Sequence, residues 1–249
     1  MAGSTIEWTE MTWNPTTGCT KISSGCANCY AEKMTYRLQA MGMKKYKDGF
    51  NVRWHESELN LPYTWNRSRM IFVNSMSDLF HEDIPLAFIK SVFKVMNECY
   101  RHTFQVLTKR ADILAQYSPL LNWTPNIWMG VTVESDRVVD RIDNLRSTGA
   151  VIKFLSLEPL LTDLPSLNLD EIDWVIVGGE SGPGARIMNE DWVLNIQDQC
   201  EHLNIPFFFK QWGGKNKKAT GSLLNGKHFK QVPNISTVLN DKQIAEPYL

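Results

Sequence analysis

Three of the chain's five cysteines fall within eleven residues, in Gly18-Cys19-Thr20-Lys21-Ile22-Ser23-Ser24-Gly25-Cys26-Ala27-Asn28-Cys29, a Cys-x6-Cys-x2-Cys spacing. A glycine directly before Cys19 and another before Cys26 let the backbone turn tightly enough for three sulfurs to face one point. Tyr30, Met34 and Leu38, four apart, read as the first turns of a helix. Cys26 and Cys29 would then sit near a helix N-terminus, where free N–H groups and the dipole favour thiolates, the form that binds metals. A structural zinc normally takes four protein ligands. Cys99 and Cys200 stand alone on predicted helices, which leaves His55 or His81 as the residues that could complete a zinc site. An odd cysteine count with no signal peptide argues against disulfides. Three cysteines on a [4Fe–4S] cluster leave one iron open for a substrate or cofactor, and that is the leading reading.

A second group of chemically capable residues follows the apolar runs. Each run finishes in polar or ionisable residues: Asn74-Ser75-Met76-Ser77-Asp78, Thr108-Lys109-Arg110, Thr132-Val133-Glu134, Ser156-Leu157-Glu158, Gly179-Glu180-Ser181 and Lys210-Gln211. Some of these are explained as helix caps, as at Ser135. Glu158 is not, because Pro159 keeps it extended at the strand end. Gly178 to Gly184 holds four glycines in seven residues, ahead of Arg186, which could make a bidentate anion contact. The segment matches neither the Walker nor the dinucleotide fingerprint.

These positions require a scaffold that brings strand ends together. The runs Arg69–Asn74, Thr103–Leu107, Asn126–Val133, Val151–Leu157, Trp174–Val177 and Pro206–Phe209 are rich in Val, Ile and Phe, as strands buried on both faces are. A seventh, Ile6–Trp13, leads into the cysteine loop. Helical patterns at Leu86–Cys99, Ser135–Arg146 and Trp192–Leu203 alternate with them. Alternation predicts an α/β fold with a parallel (β/α) barrel of six to seven strands, incomplete or nearly closed. In such barrels the loops at the C-terminal rim converge on one mouth.

At 43% apolar and 21% charged residues the chain has ample core, and a net charge of −1 gives no general attraction to nucleic acid or membrane. No apolar run approaches a membrane span and no secretory h-region is present, so a cytoplasmic protein with reduced cysteines is expected. Residues 1–213 are expected to form the barrel, and 214–249 a basic C-terminal extension packed on or beside it. From Ile205 onward seven lysines face two acids, Asp241 and Glu246. Trp212 next to Lys215, Lys217 and Lys218 could stack and contact a nucleic acid, although a solvated edge loop is the favoured reading.

The three-cysteine loop followed by strand–helix units resembles the radical S-adenosylmethionine enzymes. Trp13-Asn14-Pro15, Gly178-Gly179-Glu180-Ser181-Gly182 and Phe209-Lys210-Gln211-Trp212-Gly213 look like the phage Gp37/Gp68 family (DUF5131), over about Thr5 to Pro233. Thr108-Lys109, taken with Ser77-Asp78, is similar to spore photoproduct lyase. Two departures stand out: the usual first gap between cysteines is three, and the usual Gly-Gly-Glu after the second strand is replaced by Asn74 to Asp78.

The resemblance implies a [4Fe–4S] cluster on Cys19, Cys26 and Cys29. It implies S-adenosyl-L-methionine held by candidates Ser77, Asp78, Glu134, Glu158 and Glu180, and substrate held by Lys109, Arg186 and Lys210. It also implies a reductant protein of the flavodoxin or ferredoxin type and a three-Cys-motif partner protein, with a nucleic acid or nucleotide as one substrate class. The alternative is a non-catalytic iron–sulfur or zinc module in a phage or defence complex.

Overall fold

The computed structural model describes Ser4 and residues 6–243, the side chains of residues 217 and 218 excepted. Glu246 of the basic tail and the side chains of Lys217 and Lys218 therefore lie outside the described residues. Among the described residues nine strands run in chain order: β1 (Met11–Trp13), β2 (Thr16–Thr17), β3 (Arg53–Trp54), β4 (Met70–Val73), β5 (Thr103–Thr108), β6 (Ile127–Thr132), β7 (Ile152–Leu157), β8 (Trp174–Gly178) and β9 (Phe207–Gln211). Seven of them form one sheet in the order β1-β4-β5-β6-β7-β8-β9, with every pairing parallel. The sheet curls into a half-barrel, the partial (β/α) barrel that the alternating pattern predicts. The expected strands appear within a few residues of their predicted bounds, except that Ile6–Trp13 shortens to Met11–Trp13. An antiparallel ribbon of β2 and β3 follows β1, built from residues too short and polar to read as strands.

Both faces of the sheet are buried. Trp8, Phe72, Trp128, Ile152, Phe154, Trp174, Ile176 and Phe208 fill the bore of the curl. Their alternates along the strands, among them Ile71, Val73, Met129, Val131, Leu155, Leu157, Val175, Val177 and Phe209, pack in the outer layer with the apolar residues of α2 (Leu86–Glu98) and α5 (Glu190–His202). Side chains alternate across a strand, so each strand supplies one row to each layer. Gly130 on β6 makes room in the bore: a Cβ there would lie 2.4 Å from the Phe154 ring opposite it.

The ends of the curl are joined by side chains and covered. Residues near Lys230 pair antiparallel with β9, and Lys230 Nζ reaches Glu7 Oε2 at 2.6 Å. In α7 (Ile235–Asp241), Ile235 and Val238 pack on the bore residues, and Lys242 pairs with Asp173 at the start of β8 at 2.7 Å. The other helices are α1 (Tyr30–Ala40), α3 (Ala111–Tyr117), α4 (Arg141–Arg146) and α6 (Lys217–Thr220).

The expected helix Ser135–Arg146 is broken: a 3-10 turn covers Asp136–Val138 before α4 begins at Arg141. Ser135 makes no capping bond, and the Asp136 amide donates instead to Thr162 Oγ1. Asn189 and Asn234 cap α5 and α7 with their side-chain oxygens. Among the described residues no helix is long and apolar enough to cross a membrane.

Candidate functional site

The bore rows end in polar residues at the C-terminal rim. Continuing the inward alternation past Phe72, Leu107, Trp128, Phe154 and Phe208 leads to Asn74, Lys109, Thr132, Ser156, Glu158 and Lys210. All six line one cavity of about 360 Å³ whose floor is Ile6, Trp8, Phe72 and Leu107. That volume suits a small ligand or cofactor. Cys19, Cys26 and Cys29 border the same cavity, as free thiols of intermediate exposure. Cys99 and Cys200 are buried in the outer layer, where burial pushes their thiols up to about 11 and about 12.

The cysteine loop is pinned at three points. Near Cys19, the buried Arg110 forks: Nη1 lies 3.4 Å from Cys19 Sγ and 3.3 Å from Asp78 Oδ2, Nη2 donates to Thr20 Oγ1 at 2.7 Å, and Nε donates to Glu82 at 2.6 Å. Between Cys19 and Cys26, the Gly25 amide donates to Glu134 Oε1 at 3.1 Å, and Glu134 is fully buried against Arg141 at 2.8 Å. A Cβ on Gly25 would come within 3.0 Å of that carboxylate, so the close approach depends on the glycine. Between Cys26 and Cys29, Asn28 Nδ2 donates to Glu180 Oε2 at 2.9 Å and to the Gly184 carbonyl at 3.1 Å.

The electrostatics follow from these contacts. Burial works to raise Glu180, but bonds from the Arg186 side chain, the Arg186 amide and Asn28 outweigh it and hold the carboxyl at about 2. Glu82 is held at about 2 in the same way, with Arg110 overcoming burial. Glu134 stays below the usual carboxylate range: its burial is offset by Ser23, Arg141, Lys109 and the Gly25 amide. Burial, with Asp78 adding to it, raises the Cys19 thiol to about 11 against the opposing pull of Arg110.

The predicted site residues thus take several parts. Ser77 lines the cavity and bonds Thr16 through its hydroxyl. Glu158 faces the mouth, with Oε1 on Lys210 Nζ at 2.7 Å and Oε2 on Ser156. Lys109 lines the cavity, and among the described residues its ammonium donates only to Thr132 Oγ1, at 3.2 Å, while its backbone amide donates to Asp78. Asp78 and Glu180 also line the cavity, and these two and Glu134 are each engaged in hydrogen bonds within the protein. Asp78 accepts from Thr108, Phe80, Lys109 and Arg110; Glu134 lies behind the loop; and Glu180 carries four hydrogen bonds. Arg186 is spent on Glu180.

His55 bonds Thr17, and the buried His81 bonds Thr20 and accepts from the Asp83 amide, so neither ring faces the cysteines as a fourth ligand. Trp212 packs on Phe209 at 4.8 Å and donates to the Leu223 carbonyl. Asn74, Arg110, Thr132, Ser156 and Gln211 stand in the strand-end motifs and Asn28 in the cysteine loop, but the motifs alone gave them no role. Trp8 lies outside both signals, and the alternation along β4, β6 and β7 is what turns Asn74, Thr132 and Ser156 inward.

Among the described residues no three His, Cys, Asp or Glu side chains stand close enough to share one metal ion. The three thiols therefore border one cavity without meeting at a point, as the glycine argument had them do. Cys19 is anchored to β5 by Arg110, while Cys29 sits at the N-terminus of α1. The donor chemistry fits a cluster. A cubane takes its thiolates on separate irons around a common space, whereas sulfurs on one zinc crowd to about 3.8 Å at bond lengths of about 2.3 Å.

Fold and site together define a parallel half-barrel with a three-cysteine loop over its polar C-terminal mouth. The chain belongs to the DUF5131 family, described as a protein of unknown function, whose profile matches residues 3–233. No curated protein gives a match. Among solved structures the chain is similar to a spore photoproduct lyase complexed with dinucleoside spore photoproduct, at 12% identity and a TM-score of 0.41. The match covers 74% of this chain and 59% of that one.

Proposed function

We propose that the chain is an iron–sulfur protein of the radical S-adenosylmethionine type, with Cys19, Cys26 and Cys29 holding a [4Fe–4S] cluster. The single observation that carries this reading is that three free thiols and the polar ends of the bore rows border the same cavity. When bound, such a cluster supplies the electron that cleaves the sulfonium of S-adenosylmethionine. The chain's own residues position and shield. Trp8, Phe72 and Leu107 keep water from the floor, and Ser77, Ser156 and Glu158 offer acceptors to a ligand ammonium. Lys109, with spare N–H groups, meets an anionic group of cofactor or substrate.

Glu158 is the carboxylate best placed to exchange partners, because it and Lys210, the cation paired with it among the described residues, both line the mouth. A reductant of the flavodoxin or ferredoxin type and a three-Cys-motif partner belong to this proposal, and a nucleic acid or nucleotide is its first substrate class. Anaerobic incubation of reduced protein with S-adenosylmethionine tests it. Release of deoxyadenosine and methionine is expected, and an intact cofactor beside a bound cluster would overturn the enzymatic part.

A second reading, a cluster or zinc module without catalysis, is favoured by one observation. Each rim acid already has its own cation: Asp78 with Arg110, Glu134 with Arg141, Glu158 with Lys210 and Glu180 with Arg186. A cationic cofactor would have to displace one of them, and the same assay separates the two readings.

A further inference from the structure

We propose that Arg110 is a positioning residue that sets the reduction potential of the centre carried by Cys19. The inference rests on the cluster reading and adds to it a control that the cysteine spacing does not contain. Arg110 is 3% exposed at the end of β5, and its Nη1 lies 3.4 Å from Cys19 Sγ. Cys26 Sγ has the Ser23 hydroxyl at 3.9 Å, and among the described residues no N–H group bonds the sulfur of Cys26 or Cys29, so the three thiols are not equivalent. The guanidinium is held from the other side by Asp78 and Glu82, and it reaches the neighbouring residue of the loop through both the Thr20 hydroxyl and the Thr20 carbonyl. Five contacts on one planar fork fix its direction, which a flexible ammonium would not reproduce.

An electron entering a cluster adds negative charge that spreads onto the ligand sulfurs. An N–H donor and a buried positive charge at one sulfur favour the reduced form, and hydrogen bonds to the sulfurs are among the known determinants of cluster potential. Glu82 acts in the opposite sense: its carboxylate, half exposed and 2.6 Å from Arg110 Nε, draws off part of the cation's field. The neighbouring Asp83 faces His81 at 3.8 Å and does not touch Arg110, which makes it a control for charge alone.

The experiment is a redox titration of anaerobically reconstituted full-length protein, followed by electron paramagnetic resonance. Arg110→Lys is expected to disfavour reduction about tenfold, a fall of about 59 mV for a one-electron couple. Glu82→Gln is expected to move the potential up, and Asp83→Asn to leave it in place. The upward shift keeps the proposal testable even where Arg110→Lys folds poorly, and Asp83→Asn in the same segment separates it from any shift caused by loosening the segment or by charge alone. An unchanged potential in Arg110→Lys, or equal shifts in Glu82→Gln and Asp83→Asn, overturns it. Wild-type protein that carries no iron at all would instead count against the cluster reading on which the titration depends.

Discussion

Replacing Glu180 by glutamine should unlatch the cysteine loop while the barrel stays folded. The carboxylate accepts from Asn28 Nδ2 at 2.9 Å, from the Arg186 amide at 2.9 Å, and from Arg186 Nε and Nη2 at 2.9 and 2.5 Å. Glutamine keeps one acceptor oxygen and turns the other into an NH2 group that faces donors, so about half of these bonds are lost. A buried charge-assisted bond contributes about 1.5–3 kcal/mol. The Arg186 side chain is 35% exposed, so water recovers part of its loss. The local closure should weaken by about 2–3 kcal/mol, which is roughly a 30- to 150-fold change in an opening equilibrium.

The Cys26 and Ala27 amides report that opening, since they bond Ser23 and Ser24 carbonyls in the turn between the cysteines. Native-state hydrogen exchange should show their protection falling by this factor while β5 to β8 keep theirs. The same carboxylate sets an acid limit. Its folded value of about 2 lies below the ordinary 4.5, so its contribution is complete above pH 4.5 and is lost as pH falls towards 2. Unchanged protection in Glu180→Gln, or a uniform loss across the sheet, would refute the latch.

Two further outcomes are expected. Glu158→Gln should weaken S-adenosylmethionine binding by about 1.5–3 kcal/mol, because it removes an acceptor and leaves Lys210 uncompensated in the mouth. Lys210→Met should strengthen it, and calorimetry showing both variants shifted the same way would assign the pair to the fold. Gly130→Ala places a methyl 2.4 Å from a fully buried Phe154 ring, so about 1–3 kcal/mol of stability should be lost. A thermal melt matching wild type would mean that the ring has room to move.

Much of the fold was legible because the strands are buried on both faces. Ile127–Thr132 and Ile152–Leu157 are fully buried runs, and such runs stand out from the amphipathic helices between them. The short α3 and the β2–β3 ribbon were not legible: seven and two residues are too few for a period to emerge. At the rim, the sequence carried the acids but not their partners. Asn28 and Glu180 lie 152 positions apart, and only the curl of the sheet brings them together. Arg110 stood next to Lys109 in the same motif, yet its turn towards Cys19 depends on Asp78 and Glu82 holding it from another loop.

The central claim is that three cysteines at the barrel mouth carry one iron–sulfur centre. Iron, sulfide and zinc content after anaerobic reconstitution tests it most directly, in wild type and in the single alanine variants of Cys19, Cys26, Cys29 and Cys99. About four iron and four sulfide per chain are expected in wild type and in Cys99→Ala, with loss of the brown absorbance in each of the other three. Stoichiometric zinc without sulfide, or a Cys99→Ala protein bleached as fully as Cys26→Ala, would contradict the account.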